Sequence, residues 1–511
     1  MTDISPATIA QVQRTLILGL GETGEAVARW LTRCQKPLRL VDTRENPAGV
    51  KALREELGQH DVQWALGQTD LSIELLENID VVVISPGLSP HHPPFAAFLQ
   101  STREMSIEII GEIELFARAL NDLKISQNYQ PYVLGVTGTN GKTTVTALTH
   151  HMLEAAGMTV RAAGNISPSA LTALMQALDE ASLPRAWVLE LSSFQLHTTK
   201  SLHFDASVVL NLTQDHLDWH LDMQDYAADK ARIFEHSAIS IVNRDDSVVM
   251  AMVQSLTATA VRSFGRDAPV LNHDVGMIYE LGMRWLVSAE PLDFEDKPQP
   301  TTRRKKNTPE PTRQPGRIVQ LMPVDALKLV GLHNAMNVLA ALQLGRSVGV
   351  GLAPMLRSAT DYFGEPHRMC FVRTVREIDF YNDSKGTNVG ATVAGIEGLD
   401  RRMVLIAGGL AKGQDLTPLL PVISKFVKAV VLIGQDASMF EALMAGSHIA
   451  CDHADDMDKA VTKAFAAAQS GDAIVLSPAC ASFDMYKNYP HRGQVFIDAV
   501  NELALMHGDV L

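Results

Sequence analysis

Apolar residues in this chain fall in short continuous runs, and segments long enough for a helix separate one run from the next. Runs without polar alternation are typical of strands that are buried on both faces, which favours mostly parallel sheets covered by helices. The pattern appears three times, and a length of 511 residues also suits about three domains. We therefore predict an α/β protein with three domains in series, at 1–111, 112–363 and 364–511.

The first domain carries a glycine-rich turn between a predicted strand and a predicted helix. The run TLILGLG leads into Gly19–Gly24, which has the spacing G-x-G-x-x-G, and we predict a helix from Ala26. A second run ends at Asp42, and a third, DVVVISPG, ends at Gly87. This order is a Rossmann-type fingerprint, in which the acid after the second strand can hold a ribose. Nucleotide-sugar binding, NAD binding and close helix packing without a ligand are all compatible with it.

The second domain opens with the stretch on which the functional interpretation depends. The strand YVLGVT runs into the loop GTNG, then Lys142 and Thr143, and a helical pattern follows as far as Gly157. Backbone N–H groups of such a loop and the N-terminus of the next helix attract phosphate, the lysine reaches the terminal phosphates and the hydroxyl can ligate Mg²⁺. Val136 stands where the full P-loop pattern has glycine, so an ordinary turn that happens to carry a lysine is the alternative. The predicted ATP-binding residues of this loop are Gly138, Thr139, Asn140, Gly141, Lys142, Thr143 and Thr144.

Acids and histidines follow two more predicted strands of this domain. Glu190 ends the run AWVLE, and Asp215 and His216 follow SVVLNLT. Because the carboxyl ends of parallel strands meet at one edge of a sheet, we expect these side chains beside the phosphates. Thr143, Glu190 and His216 could hold Mg²⁺, with the imidazole as an unusual ligand, while polar capping of a strand end is the alternative for Glu190. His216 and His220 lack the HExxH context of a zinc hydrolase.

Two further constellations complete the candidate chemistry. Asn334 and Asn337 open a helix predicted over Val338–Leu344, and their spacing puts both amides on one face, where they could read an adenine edge. In the third domain the runs DFYNDS, MVLIAGG, AVVLIG and AIVLSPA predict another mostly parallel, Rossmann-like sheet. Lysines and hydroxyls follow three of these runs, at 383–388, 407–412 and 477–482, and would form an anion-binding rim.

Composition and charge narrow the possible partners. The chain has 44 basic and 58 acidic residues, a net charge of −14, which argues against nucleic acid or an anionic membrane surface as the main partner. No apolar run is long enough for a membrane helix, no secretory signal is evident, and the four cysteines show no metal-type spacing. We expect a reduced, cytoplasmic, monomeric protein that acts on small molecules.

One segment inside the second domain departs from the globular pattern. The sequence PLDFEDKPQPTTRRKKNTPEPTRQPG, at 291–316, is rich in proline, threonine and charge and nearly free of apolar side chains. We predict a solvated, flexible insertion, because such a composition cannot support a packed core. A nucleic-acid patch at the RRKK run is the alternative, but the acidic balance and the lack of interleaved aromatic residues do not favour it.

Taken together and in order, the motifs GTNGKTT, GNI, ELSSFQL, DHLD, HNAMN, NDSKGTN and SPACASFD resemble those of the Mur ligase family of peptidoglycan synthesis. Within that family, GLGETG, VISPGLS and SPACASFDMYKNYPHRG most resemble the members that join D-glutamate to UDP-N-acetylmuramoyl-L-alanine. The resemblance covers nearly the whole chain except roughly 255–325. It implies a UDP-substrate domain, a central ATPase domain and an amino-acid domain. It also implies that the enzyme uses ATP and two Mg²⁺ ions to form an acyl phosphate.

The resemblance also assigns roles residue by residue. It implies that the UDP-substrate is held by Gly21, Thr23, Asp42, Thr43, Arg44, Ser85, Gly87, Asn165 and Gln195. It implies that ATP also contacts Asn334, Asn337, Arg368 and Asp383, and that Lys142, His216, Lys230 and Lys385 are catalytic. The implied metal ligands are Thr143, Glu190, His216 and Lys230, the last matching the lysine that the family carbamylates. The implied D-glutamate pocket is Thr387, Lys412, Ser482, Phe483 and Tyr489.

Two departures and three rival interpretations accompany this assignment. Ser167 replaces an expected glycine and Trp219 an expected arginine. A folylpolyglutamate-type ligase would lack the N-terminal uridine-binding unit, a dehydrogenase would leave GTNGKTT unexplained, and a P-loop regulator would need no amino-acid pocket. Another Mur-type ligase with a different amino acid is the closest alternative. The sequence does not identify the base that deprotonates the incoming amine, for which His216 and a metal-bound group are both candidates.

Overall fold

The computed structural model describes residues 14–254, 260–292 and 313–508. Most of the predicted insertion at 291–316 therefore lies outside the described residues. The described chain forms three sheets of five, nine and six strands, and each sheet is built from one continuous part of the sequence. Helices cover the sheets, as the continuous apolar strands require. Among the described segments, none of the helices combines the length and the apolar composition that crossing a bilayer needs.

The N-terminal sheet is entirely parallel, with strand order β3-β2-β1-β4-β5. Its strands are β1 (Thr15–Leu18), β2 (Leu38–Asp42), β3 (Val62–Leu66), β4 (Val81–Ile84) and β5 (Glu108–Ile110). Its helices are α1 (Glu22–Arg33), α2 (Val50–Glu56) and α3 (Phe95–Glu104), and α4 (Glu112–Gln127) follows β5 and begins the predicted second domain. Gly24 lets α1 approach β1, because a Cβ there would lie 2.0 Å from the carbonyl oxygen of Gly19. The strand order reverses between β1 and β4, and open α/β sheets bind ligands at such a point.

The central sheet has the order β14-β13-β12-β11-β10-β9-β6-β8-β7. It is parallel from β7 to β12, and β12, β13 and β14 pair antiparallel. Its strands are β6 (Tyr132–Thr137), β7 (Val160–Gly164), β8 (Ala186–Glu190), β9 (Ala206–Val209), β10 (Ile239–Asn243), β11 (Ala260–Phe264), β12 (Val275–Glu280), β13 (Met283–Glu290) and β14 (Arg317–Pro323). Its helices are α5 (Lys142–Ala155), α6 (Ala170–Asp179), α7 (Ser193–His197), α8 (Met223–Ala231), α9 (Ser247–Ala251), α10 (Leu332–Ser347) and α11 (Leu352–Asp361).

The C-terminal sheet has the order β15-β16-β20-β17-β18-β19, parallel except for the β15–β16 pair. Its strands are β15 (Cys370–Val375), β16 (Ile378–Asn382), β17 (Met403–Gly408), β18 (Val427–Ile433), β19 (Ala450–His453) and β20 (Ala473–Leu476). Its helices are α12 (Val389–Leu399), α13 (Leu419–Phe426), α14 (Ala437–Met444), α15 (Met457–Ala467) and α16 (Tyr489–Met506).

The N-terminal and central domains share one hydrophobic core. A single cluster of buried residues runs from Ile17 and Trp30 through Phe116 on α4 to Trp187 on β8. The rings of Phe116 and Trp187 meet edge to face, with centroids 5.2 Å apart. Shared apolar burial of this kind fixes two domains relative to each other more firmly than polar contacts do.

The predicted three-domain α/β fold is confirmed, with corrections to individual elements. Helix α1 begins at Glu22 rather than Ala26, and α10 spans Leu332–Ser347, so Asn334 and Asn337 lie inside it. The apolar runs correctly located β1, β2, β4, β6, β8, β9, β16–β18 and β20. They missed β3, β5, β11–β15 and β19, most of which carry exposed or half-buried residues and so lack a continuous apolar run.

Candidate active site

Three neighbouring strands place the candidate phosphate- and metal-binding residues at one edge of the central sheet. Strand β6 lies between β8 and β9, and all three run parallel. The loop after β6 is the glycine loop 138–141, β8 ends at Glu190, and the loop after β9 carries Asp215 and His216. The expectation that these groups meet at the carboxyl edge of a parallel sheet is confirmed.

Side chains from two other segments hold the glycine loop in shape. Gly141 has φ +88°, and a Cβ there would lie 2.7 Å from Oδ1 of Asn337, so glycine fits both the backbone and the space. Asn211, after β9, accepts from the N–H of Asn140 at 2.8 Å and donates to its carbonyl at 3.0 Å. Thr139 Oγ1 accepts from the N–H of Thr213 at 3.0 Å. Sequence analysis missed Asn211, because nothing in its local pattern indicates a contact 71 residues away.

Two lysines converge on one carbonyl oxygen in this loop. Lys142 Nζ donates to the carbonyls of Gly138 (3.0 Å) and Thr139 (2.9 Å), and Lys230 Nζ donates to the same Gly138 oxygen at 3.0 Å. Lys230 is buried, with a relative exposure of 1%. Burial lowers the pKa of Lys142, and burial together with the nearby charge of Lys142 lowers the pKa of Lys230 well below its ordinary value. An anion bound here would compensate the positive charge of both amines.

The C-terminal domain adds two more cationic groups to this site. Arg368 donates to Thr143 Oγ1, so its guanidinium lies beside the first turn of α5. Lys385, after β16, stands over the ring of Tyr489, with Nζ 4.0 Å from the ring centroid. Burial, followed by the charges of Arg368 and Lys142, lowers the pKa of Lys385 to about 8. Four basic side chains from two domains therefore surround the glycine loop, an arrangement suited to a triphosphate.

The residues proposed for Mg²⁺ fit a hard cation. Glu190 is 3% exposed, and its Oε2 has no hydrogen-bond partner among the described residues. An unpaired, buried carboxylate oxygen is costly unless a cation or a donor joins it. Burial lowers the pKa of His216, which favours the neutral imidazole, the form that can ligate a metal. The Thr143 hydroxyl lies in the first turn of α5, directly after the glycine loop.

The predicted adenosine contacts lie at the junction of the central and C-terminal domains. Asn337 Nδ2 donates to Asn334 Oδ1 at 3.0 Å, so the two amides share one helix face as predicted. Asp383 accepts from Ser477 Oγ at 2.7 Å and from the N–H of Met369 at 3.1 Å. Burial raises the pKa of Asp383 to about 7. Whether these groups bind adenosine stays a prediction.

The predicted UDP contacts gather at the switch point of the N-terminal sheet. Asp42 accepts from the N–H of Leu20 at 2.7 Å and pairs with Arg44 at 2.8 Å, and Ser85 Oγ donates to the carbonyl of Gly19 at 2.8 Å. The remaining N-terminal candidates are Gly21 and Gly87, which are exposed, and Thr23 and Thr43, which are half-buried. In the central domain, Asn165 is exposed after β7, and Gln195 is buried in a capping box with Ser192. The exposed Ser167 has no contact that explains its departure from glycine.

The predicted D-glutamate contacts lie at the carboxyl edge of the C-terminal sheet. Thr387 follows β16, Ser482 and Phe483 follow β20, and Lys412 follows β17, and these three strands are adjacent. Tyr489 begins α16. Lys412 and Phe483 are exposed, whereas Ser482 is 2% exposed. The geometry brings all five to one rim, and their role in binding stays a prediction.

Trp219, the unexpected residue after DHLD, joins the N-terminal domain to the central domain. Its Nε1 donates to the carbonyl of Pro86 at 3.0 Å, and its own carbonyl accepts from Ser89 Oγ at 2.7 Å. Its ring stacks on Phe194, with centroids 4.6 Å apart. Because Pro86 lies between the UDP candidates Ser85 and Gly87, Trp219 fixes the position of that loop.

A chain of alternating histidines and aspartates lies beside this tryptophan. His91 Nε2 is 3.4 Å from Asp225 Oδ2, His220 Nδ1 is 3.2 Å from the same oxygen, and His197 Nδ1 is 2.9 Å from Asp229 Oδ2. His91 belongs to the N-terminal domain, and both aspartates lie on α8, the helix that carries Lys230. The pairs therefore connect the N-terminal domain with the helix that carries Lys230.

Models of three protein domains match three successive parts of this chain. The Mur ligase MurD-like N-terminal domain matches residues 13–111, the Mur ligase middle domain 136–287, and the Mur ligase glutamate ligase domain 367–480. UDP-N-acetylmuramoylalanine–D-glutamate ligase of Bordetella pertussis is 56% identical over 496 residues, which is 97% of each chain. The enzyme of the same name from Ralstonia nicotianae is 49% identical over 97% of this chain and 98% of its own. This chain belongs to the Mur ligase family.

Solved structures support the fold of this Mur ligase. The MurF ligase of Thermotoga maritima in complex with ADP aligns with a TM-score of 0.57 at 14% identity, over 100% of this chain and 99% of that one. UDP-N-acetylmuramate–alanine ligase MurC of the same organism aligns with a TM-score of 0.52 at 14% identity, over 96% and 99%. The three domains in series that the motifs implied are thereby confirmed for this Mur ligase.

We predict that Trp219→Phe weakens binding of the UDP-substrate to this Mur ligase and leaves binding of ATP and the amino acid nearly unchanged. Phenylalanine keeps the stack on Phe194 and loses the Nε1 donor, which leaves the carbonyl of Pro86 unpaired. Loss of one such bond should raise the KM for the UDP-substrate roughly 3- to 10-fold. The KM values for ATP and for the amino acid should stay within about twofold, measured by steady-state kinetics.

Phe440→Leu is a control, since Phe440 is buried in the C-terminal domain, in a core cluster that contains none of the residues in contact with Trp219. It should lower stability without a selective change in KM. A Trp219→Phe enzyme whose three KM values all match those of the unsubstituted enzyme would show that the loop does not need this anchor.

Proposed function

We propose that this Mur ligase adds D-glutamate to UDP-N-acetylmuramoyl-L-alanine, with conversion of ATP to ADP and phosphate. The observation that carries the proposal is the 56% identity, over 97% of both chains, to a relative of that name. The geometry supports it, since nucleotide-sugar candidates, a phosphate loop and an amino-acid rim lie in three successive domains. We place the reaction in the cytoplasm, as a step in peptidoglycan precursor synthesis, and expect a monomer.

The carboxyl group must be activated before an amine can form an amide with it, because hydroxide is a poor leaving group. The terminal carboxylate of the L-alanyl substrate attacks the γ-phosphorus of ATP, the bond from that phosphorus to the β,γ-bridging oxygen breaks, and ADP leaves. The product is an acyl phosphate. The amine of D-glutamate then attacks the acyl carbon, the tetrahedral intermediate expels phosphate, and an amide with one proton fewer on nitrogen remains.

The basic groups of this chain fit the first step. Lys142, beside the loop carbonyls, neutralises charge on the β- and γ-phosphates, and Arg368 and Lys385 approach the same region from the C-terminal domain. Phosphoryl transfer depends mainly on such positioning and charge stabilisation. Asn334, Asn337 and Asp383 are placed to hold the nucleoside at the junction of the two domains.

Mg²⁺ would be held by Glu190, Thr143 and His216, on the evidence of the unpaired Glu190 oxygen and the neutral imidazole. When bound, such ions supply charge neutralisation for the phosphates. His216 is alternatively a candidate to accept the proton of the incoming amine when its lone pair is not bound to the metal, since a base must be unprotonated to act.

The proposed rim of the C-terminal domain suits a dicarboxylic amino acid. Lys412 is an exposed cation, and Ser482 and Thr387 supply hydroxyl groups at the same edge of the sheet. Cations and hydroxyls of this kind make charge-assisted hydrogen bonds to a carboxylate. An amino acid with a neutral or basic side chain would offer Lys412 no side-chain carboxylate.

The direct test is release of phosphate from ATP in the presence of UDP-N-acetylmuramoyl-L-alanine and one amino acid at a time. We expect D-glutamate to support turnover, and L-glutamate, L-lysine and meso-diaminopimelate to give less than about 1% of it. Omission of the UDP-substrate should abolish release. Equal or better turnover with another amino acid would assign the chain to a different ligase of the family.

We further propose that Lys230 is carbamylated and holds a second Mg²⁺. An ordinary ammonium at this position would be buried beside Lys142, which is unfavourable. The lowered pKa of Lys230 favours the neutral amine, and a neutral amine can attack CO₂ to give a carbamate and release one proton. A carbamate offers the anionic oxygen that a hard cation prefers.

We predict that Lys230→Ala is nearly inactive and that formate or acetate partly restores it. A short carboxylate can occupy the space of the missing carbamate, so millimolar additive should raise activity at least tenfold. Lys36→Ala, which removes a lysine of the N-terminal domain, is the control and should show no dependence on additive. Mass spectrometry after trapping of the carbamate tests the modification without an activity assay. An unmodified lysine in the active enzyme would refute the proposal.

A further inference from the structure

Asn388 lies where the C-terminal domain contacts the glycine loop. It directly precedes α12, and it is buried, with a relative exposure of 7%. Its Oδ1 accepts from the N–H of Ala391 at 2.8 Å and caps the helix. Its Nδ2 crosses to the central domain and donates to Asn140 Oδ1 at 3.2 Å and to Asp215 Oδ2 at 3.1 Å.

Each group that Asn388 contacts belongs to the phosphate and metal region. Asn140 is part of the glycine loop, and its backbone is held by Asn211. Asp215 precedes the candidate metal ligand His216 and accepts from its backbone N–H at 2.9 Å. One amide nitrogen therefore joins the loop that faces phosphate, the loop that carries the histidine, and the first turn of a helix from another domain.

The surrounding backbone is shaped for this contact. A Cβ at Gly390 would lie 2.6 Å from Thr213 Oγ1 and 3.1 Å from Asn140 Nδ2, so a larger residue would push α12 away from the loop. Thr213 Oγ1 in turn accepts from Asn140 Nδ2 at 3.4 Å. Glycine in the first turn of α12 thus permits the close approach that the Asn388 contacts need.

We propose that Asn388 is a positioning residue that locks the C-terminal domain onto the glycine loop when the active site closes. The two functions of the side chain are separate: the oxygen caps the helix, and the nitrogen makes the lock. The lock places Lys385 and Arg368 against the phosphates, because they precede Asn388 in the same domain. The kinetic part of this proposal rests on the proposed ligase function, and the structural part does not.

The test uses Asn388→Asp in the full-length protein. Aspartate caps a helix as well as asparagine does, so α12 should be preserved. It has no N–H donor and places a carboxylate against that of Asp215, so the closed arrangement should be disfavoured. We expect kcat to fall roughly 10- to 100-fold, in line with loss of a bond to a charged group, with a melting temperature close to that of the unsubstituted enzyme.

Two further variants separate the lock from the cap. Asn388→Ser keeps a capping oxygen and adds no charge, so it should lose only roughly 3- to 10-fold. Asp456→Asn changes the capping residue of α15, in the same domain and away from the cleft, and should leave the rates unchanged. A serine variant as impaired as the aspartate variant would contradict the charge argument.

A double-mutant cycle tests the contact itself. Asp215→Asn is expected to be impaired alone, since it borders His216, but it removes the like charge that Asn388→Asp would face. Adding Asn388→Asp to Asp215→Asn should therefore cost at least about fivefold less in kcat than adding it to the unsubstituted enzyme. Equal costs in both backgrounds would show that the two side chains are not coupled.

Small-angle X-ray scattering supplies a readout that needs no turnover. With a non-hydrolysable ATP analogue and Mg²⁺, the unsubstituted enzyme should become more compact, and Asn388→Asp should not. If the amino-acid or UDP-substrate assignment is wrong, the kinetic assays fail for both proteins while this difference persists. An Asn388→Asp protein that compacts normally and turns over within about twofold of the unsubstituted enzyme would overturn the proposal.

Discussion

Two lysine amines that donate to one carbonyl oxygen set the physical constraint on this active site. Lys142 and Lys230 both reach the oxygen of Gly138, inside a loop whose backbone N–H groups and following helix already favour anions. Two cations cannot share such a place without compensating negative charge, and burial accordingly lowers the pKa of both. The nearby acids are Glu190 and Asp215. Nucleotide phosphates, and a carbamate on Lys230, would supply the rest of the compensation.

The two outer domains are joined to this centre by different physical means. The N-terminal domain shares an apolar core with the central domain and adds the Trp219 contacts, so it should keep its position. The C-terminal domain has its own core clusters among the described residues. The only central-domain residue that packs against them is Val330, which is partly buried. The hydrogen bonds by which the C-terminal domain contacts the glycine loop and α5 come from Asn388 and Arg368. A polar interface can open and reform, which suits a domain that must admit ATP and an amino acid and then close.

Sequence reasoning located the elements that local pattern encodes. The glycine loop, Glu190 and the Asp215–His216 loop follow three apolar runs, and the rules for parallel sheets then bring them together. The contacts between residues far apart in the sequence were not predictable in this way. DYAADKARIF resembles an exposed helix, yet Lys230 is 1% exposed, because only the fold places α8 against the glycine loop. Asn211, Asn388 and Trp219 gain their importance from partners 71 to 248 residues away.

The most direct test of the account is the comparison of Lys142→Ala with the unsubstituted enzyme in ATP-dependent ligation. One cation at the β- and γ-phosphates should be worth roughly 10²-fold or more in kcat. Because the amine is buried and its pKa is lowered, its removal should not reduce the melting temperature of the ligand-free protein. We expect ligation to be lost in a protein of unchanged stability. Activity within a few-fold of the unsubstituted enzyme, with a normal melting curve, would contradict the assignment of this loop as the phosphate site.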